Sequence, residues 1–126
     1  KNIILYGESL GTGVAAEIGK RNVFGGIILE SPFTSVTKAA KIYYPYLPVN
    51  IILKDRYDTI EKIQSISAPI LIMHGKQDNI VPQKMGLELF EKANEPKFNY
   101  FPENDDHMME YNDELLKNIE LFINKI

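Results

Sequence analysis

The chain has no cysteine and no tryptophan, and it has only two histidines, His74 and His107. Without cysteine there are no disulfides, no thiolate metal sites and no cysteine nucleophile, although compartment stays open. Two histidines argue against a multi-histidine metal site. Neither sign of charge dominates: 14 Lys and Arg stand against 17 Asp and Glu, and the net charge of −3 gives no reason to expect nucleic acid as a partner. No run approaches the ~20 apolar residues of a membrane span. No signal peptide is visible, and the first residue is Lys1 rather than a start methionine. A strand pattern begins almost at once, so the chain reads as a piece of a longer one. Localisation is left between the cytoplasm and a membrane reached through an upstream segment.

What is present suits a soluble globular domain. The 126 residues are 44% hydrophobic and 25% charged, enough for one modest domain with a core. Apolar runs alternate with helix-like patterns, which predicts βαβ units and a parallel sheet. Strands are expected over 2–6, 27–30, 70–74 and 97–101, short and apolar as buried parallel strands are. Helices are expected over 11–21, 83–93 and 112–125. In the second, Gly86, Leu89, Phe90 and Ala93 recur with helical spacing; in the third, Leu115, Leu116, Ile119, Phe122, Ile123 and Ile126 share a face. Between 31 and 67 the pattern is less regular. Pro45 and Pro48 break any long helix there, the apolar run 49–53 follows, and Asp58-Thr59-Ile60-Glu61 reads as a capping box opening a short helix through Ile66.

The motif that carries chemistry is Gly7-Glu8-Ser9-Leu10-Gly11, directly after the apolar run Ile3-Ile4-Leu5-Tyr6. It matches G-x-S-x-G, a strand-to-helix turn that lifts a serine out of the end of a strand. Side chains at Gly7 and Gly11 are expected to crowd that turn, and Gly11, Gly13, Ala15 and Ala16 to let the following helix pack closely on the sheet. A serine hydroxyl is a weak nucleophile near neutral pH; it needs a base, an acid that orients the base, and donors for an oxyanion. Downstream, Asp78 follows the third strand and His107 the fourth. All three then emerge at one sheet edge, in the order Ser, Asp, His.

These residues resemble the α/β-hydrolase superfamily over the whole chain. The likeness is to the C-terminal half of the fold, in the branch of abhydrolase-domain serine hydrolases that includes lysophospholipases, carboxylesterases and depalmitoylases. The stretches carrying it are YGESLGTGVA (6–15), LESPFTS (29–35), YYPYLP (43–48), DRYDTIEKI (55–63) and APILIMHGKQDNIVP (68–82). The resemblance implies Ser9 as nucleophile, Asp78 as acid, His107 as general base and the Leu10 backbone N–H as an oxyanion donor. It implies hydrolysis of a carboxylic ester or thioester through an acyl-serine, a small-molecule or acylated substrate, and no metal or organic cofactor. A lid-like insertion is expected over about 34–67. Tyr43, Tyr44, Tyr46 and Leu47 there read equally as core or as the lining of an acyl pocket. Membrane association is left open.

The family places the second oxyanion donor, and strands flanking the serine-bearing strand, in a part of the fold that precedes the serine. The piece alone is therefore expected to fold poorly, to expose an apolar strand edge and to be nearly inactive. The turn before His107 lacks the family's glycine, and Asn104 is expected to take its left-handed conformation. Asp105 and Asp106 beside His107 lead to an expectation that activity rises toward mildly alkaline pH, since the base must be neutral. His74 is a rival base read as structural, Glu30 a weaker rival acid, Asp58 an N-cap and Arg56 a surface or salt-bridge residue. A peptidase on the same fold and a non-catalytic binding module remain as alternatives.

Overall fold

A computed structural model describes residues 2–48 and 56–126; the apolar run 49–53 and Asp55 lie outside the described residues. Four apolar runs form four parallel strands: β1 (Ile4–Glu8), β2 (Gly26–Glu30), β3 (Ile70–Met73) and β4 (Lys97–Tyr100). They lie side by side in chain order, with Ile4 opposite Gly26, Ile27 opposite Ile70 and Ile70 opposite Lys97. Parallel neighbours cannot be joined by tight turns, so helices run between them. α1 (Leu10–Arg21) connects β1 to β2. α2 (Val36–Tyr43), α3 (Thr59–Lys62) and a 3-10 turn (Ile63–Ser65) lie between β2 and β3. α4 (Gln83–Lys92) connects β3 to β4, and α5 (Asp113–Lys125) closes the chain.

The two-residue period of β3 sorts the core into two layers. Ile70 and Ile72 join Ile27, Leu29, Ala15, Ala16, Ile63, Ile66 and Leu89 on one face; Leu71 and Met73 join Ile28, Tyr100, Leu115 and Phe122 on the other. Each fully buried Ile or Leu contributes roughly 1.5–3 kcal/mol over its exposed state. Within the 34–67 segment, Thr59, Ile63 and Ile66 are buried, whereas residues 41–48 are exposed.

Several expectations shift. β1 starts at Ile4 and runs through Glu8, because Gly7 and Glu8 pair with Leu29 and Glu30. On α5 only Leu115 and Phe122 are buried, with Ile119 packed beside them, while Leu116, Ile123 and Ile126 face outward. The capping box does not form: Asp58 precedes α3 but its side chain caps nothing. The donors it would have served already have backbone acceptors, Thr59 N–H on Tyr57, Ile60 N–H on Thr34 and Glu61 N–H on the Asp58 carbonyl. Among the described residues β1 pairs only with β2, leaving its other edge open beside exposed Ile3 and Tyr6 and the α1 stripe of Leu10, Val14 and Ile18. No helix among them is long and apolar enough to cross a membrane.

Candidate active site

Ser9 sits between the last residue of β1 and the first of α1, with φ 49° and ψ −115°. That backbone is strained for a residue with a Cβ, at roughly 1–3 kcal/mol, and the neighbourhood holds it. Its N–H donates to Glu30 O at 2.9 Å, and its carbonyl accepts from Thr12 N–H at 3.0 Å and Thr12 Oγ1 at 2.5 Å. Gly7 is required by space: a Cβ there would lie 2.6 Å from Gly11 O and 2.9 Å from the Ala15 Cβ. Gly11 is not; a Cβ would meet nothing within 4 Å among the described residues. Gly13 packs against Tyr57 rather than the sheet. Leu10 opens α1, so its N–H has no intrahelical acceptor and is free to bind an anion.

Beside the elbow stand the ends of β3 and β4. Ser9 Oγ lies 3.0 Å from His107 Nε2, and His107 Nδ1 lies 2.8 Å from Asp78 Oδ2. The other carboxylate oxygen of Asp78 accepts the N–H groups of Ile80 (2.9 Å) and Val81 (2.8 Å). Burial by itself raises the Asp78 carboxyl. Donation from His74, Val81 N–H, His107 and Ile80 N–H outweighs that and holds it at about 2. Asp78 is thus an anion at neutral pH and only accepts, so His107 Nδ1 carries a proton, and Nε2 in the neutral ring accepts from the Ser9 hydroxyl.

The loop bearing His107 is anchored without a glycine of its own. Asn104 does not adopt positive φ; among described non-glycine residues only Ser9, Ser31 and Tyr57 do. The close approach occurs instead at Gly75, where a Cβ would lie 2.2 Å from Asp105 O. Lys76 N–H donates to Pro102 O at 3.0 Å and Gln77 N–H to Asp105 O at 2.9 Å, while Lys76 Nζ pairs with Glu103. Asp105 and Asp106 accept the backbone N–H groups of Glu110 and Met108.

No family model matches the chain. It is 34% identical over 96 residues to human alpha/beta hydrolase domain-containing protein 17B, covering 76% of this chain and 32% of the relative. It is 35% identical over 115 residues to lysophosphatidylserine lipase ABHD12 of Danio rerio, covering 77% and 30%. Among solved structures, a monoacylglycerol lipase of Paleococcus ferrophilus matches with TM-score 0.71 at 17% identity, covering 100% of this chain and 70% of that one. The chain belongs to the α/β-hydrolase superfamily. An acetyl xylan esterase of Paenibacillus sp. R4 shares the fold at TM-score 0.76 and 17% identity, covering 98% and 45%. This α/β-hydrolase chain spans about a third of the length of the curated relatives it matches.

In this α/β-hydrolase chain the other candidates fall apart from the serine. Glu30 is buried, and its Oε2 accepts from Tyr111 OH at 2.6 Å and from Tyr6 OH, so it does not serve His107. Partial desolvation of the hydroxyls, then the Glu30 hydrogen bond, raises both tyrosines, although both residues stay exposed. Tyr43, Tyr44, Tyr46 and Leu47 are not core: all are exposed, at the end of α2 and just beyond it, and Tyr43 OH hydrogen-bonds to Asn79 O at 2.7 Å and to Ile80 O. Two cavities of about 520 and 570 Å³ lie between α1 and 56–62 and beside β4, and neither includes these four residues or Ser9. The described residues include no cluster of three acidic or histidine side chains that could hold a metal.

Sequence reasoning missed two partners. Ser31, with φ 48° and fully buried, donates from Oγ to His107 O at 2.9 Å. His74 lies 3.0 Å from Asp78 Oδ2. Both follow strand ends, where site residues gather, but one sequence carries no sign of which strand-end polar groups meet.

Proposed function

We propose that this chain carries the catalytic centre of a serine hydrolase cleaving a carboxylic ester or thioester. The observation that carries the reading is the line Ser9 Oγ, His107 Nε2, His107 Nδ1, Asp78 Oδ2, with steps of 3.0 and 2.8 Å. It supplies nucleophile, base and orienting acid in the order acyl transfer needs. Ser9 Oγ attacks the acyl carbon while its proton passes to His107 Nε2. The carbonyl oxygen gains the negative charge, and the Leu10 N–H faces it as one donor. Asp78 stabilises the imidazolium without taking its proton. The imidazolium then protonates the departing alcohol or thiol, leaving an acyl-serine. Water adds in the reverse sense, its proton going to Nε2 and then to Ser9, and the acid product leaves.

The names of the relatives and fold neighbours, a lysophosphatidylserine lipase, a monoacylglycerol lipase and an acetyl xylan esterase, support an acyl ester as substrate class. In this reading the exposed stretch 41–48, within the 34–67 segment, is the part available to cover an acyl chain. The test is labelling of the intact protein with a fluorophosphonate, beside Ser9→Ala. Labelling that disappears in the variant is expected, followed by turnover of esters or thioesters. Peptide turnover without ester turnover would move the reading to a peptidase; a folded protein that takes no label would move it to a binding module.

A further inference from the structure

Asp78 Oδ2 has two imidazole partners, and the reaction above uses only one. His107 Nδ1 stands 2.8 Å from it and His74 Nε2 stands 3.0 Å from it. His74 is fully buried at the end of β3, where its N–H continues the sheet by donating to Tyr100 O at 3.0 Å. Its Nε2 also lies 2.8 Å from Val81 O. Both neighbours of Nε2 are acceptors, so Nε2 carries a proton and points it between them. Nδ1 is buried with no hydrogen-bond partner among the described residues. It faces α4 at Gly86, where a Cβ would lie 2.5 Å from Nδ1 and 3.0 Å from the His74 Cβ.

These facts do not suit a residue kept only to fill space. A buried nitrogen without a partner is unfavourable, and an apolar side chain of similar size fills the same volume without one. The imidazole is useful there through Nε2. On that side it closes a small ring: His74 donates toward Asp78 Oδ2 and Val81 O, and Val81 N–H donates to Asp78 Oδ1.

We infer that His74 is a positioning residue: its Nε2–H fixes the shared oxygen of Asp78, so that His107 is oriented by a carboxylate held between two imidazoles. His74 touches neither Ser9 nor the reacting atoms, and acts through Asp78. Of the two rings it is the fixed one, its side chain fully buried on a strand end, whereas that of His107 is 12% exposed on a loop. α4 holds the back of the His74 ring at a glycine, which lets the helix approach close enough to prevent the ring from withdrawing. The kinetic consequence rests on the hydrolase reading; the positional one does not.

The test uses the intact protein with His74→Gln, whose amide can still donate toward Asp78, and His74→Leu, which cannot. With a p-nitrophenyl ester, His74→Leu is expected to lower kcat about tenfold with KM little changed, and His74→Gln to restore most of it, in keeping with other outer partners of site residues. Gly86→Ala, which presses on the ring without removing it, is expected to lower kcat in the same direction. Equal losses in Gln and Leu, or unchanged kcat in both Leu and Gly86→Ala, would overturn the inference. The NMR signal of the His107 Nδ1 proton gives a readout independent of turnover: it is expected to move in His74→Leu and to stay in His74→Gln. A signal indifferent to His74→Leu overturns the positioning role. A signal that moves in a protein that neither takes the fluorophosphonate label nor turns over esters, thioesters or peptides sinks the hydrolase reading and leaves the positioning role standing.

Discussion

The Ser31 hydroxyl donates to the backbone carbonyl of His107 at 2.9 Å, across 76 positions of sequence. It ties the loop after β4 to the end of β2, next to the strand that leads into Ser9. His107 is thereby held by its main chain as well as by its ring. Ser31→Ala removes one part-buried hydrogen bond, a loss of about 0.5–1.5 kcal/mol. Activity is expected to fall several-fold at constant KM, and measuring kcat beside the unfolding midpoint separates loosened geometry from lost fold.

Asp78→Asn is expected to lower kcat by at least about a hundredfold while leaving most of the fold intact, because an amide can present its N–H to His107 and fix the wrong tautomer. The same variant has a pH signature. The Asp78 carboxyl is held at about 2, below the ordinary value of 3.8. Its ionised form therefore stabilises the fold above about pH 4, and that stability is lost as pH falls from there toward 2. Acid titration followed by circular dichroism should show a shallower loss in Asp78→Asn than in the parent; equal slopes would count against the clamp.

Gly7→Ala and Gly11→Ala should act in opposite directions although both glycines belong to one motif. At Gly7 a methyl meets Gly11 O and the Ala15 Cβ at less than contact distance, so overpacking of about 1–3 kcal/mol is expected, with loss of activity. At Gly11 a methyl meets nothing, and Ala in a helix is favoured over Gly by about 1 kcal/mol. Thermal unfolding of the two variants checks both signs at once.

Tyr6 and Tyr111 both donate to the buried Glu30 carboxylate. Either change to Phe removes a donor to a buried acceptor, and a destabilisation of about 1–3 kcal/mol is expected. Partial desolvation and the carboxylate raise both hydroxyls above the usual 10.0. Their contribution to stability is present below about pH 10 and is lost as pH climbs toward the folded values, so the alkaline fall in stability should flatten in the Tyr6→Phe, Tyr111→Phe double variant. Denaturant unfolding from pH 8 to 11 measures it.

The periodic features were legible in the sequence. β2 and β3 read as continuous apolar runs because both faces are covered, and α4 kept its helical spacing with Gly86, Leu89 and Ala93 buried. G-x-S-x-G located the elbow because the backbone there has few solutions. The expectations that failed depended on contacts between distant segments. Asn104 suits a left-handed turn, but the close approach is met by Gly75, on another loop. Asp58 read as a cap because its neighbours suit one, but Thr34 from beyond β2 reaches the Ile60 donor first. The tyrosine cluster has a composition that suits core or pocket equally, and its exposure at the end of α2 and beyond follows from the path of the chain, which composition does not carry.

The backbone bonds from Lys76 and Gln77 to Pro102 and Asp105, with Gly75 pressed against the same stretch, give the loops bearing Asp78 and His107 a common skeleton. They behave as one part made from two pieces of chain. Anyone transplanting this site, recombining it with a homologue or randomising it by directed evolution has to treat residues 75–81 and 102–107 as a single cassette. Exchange of either alone would break main-chain joints that no side-chain substitution can remake.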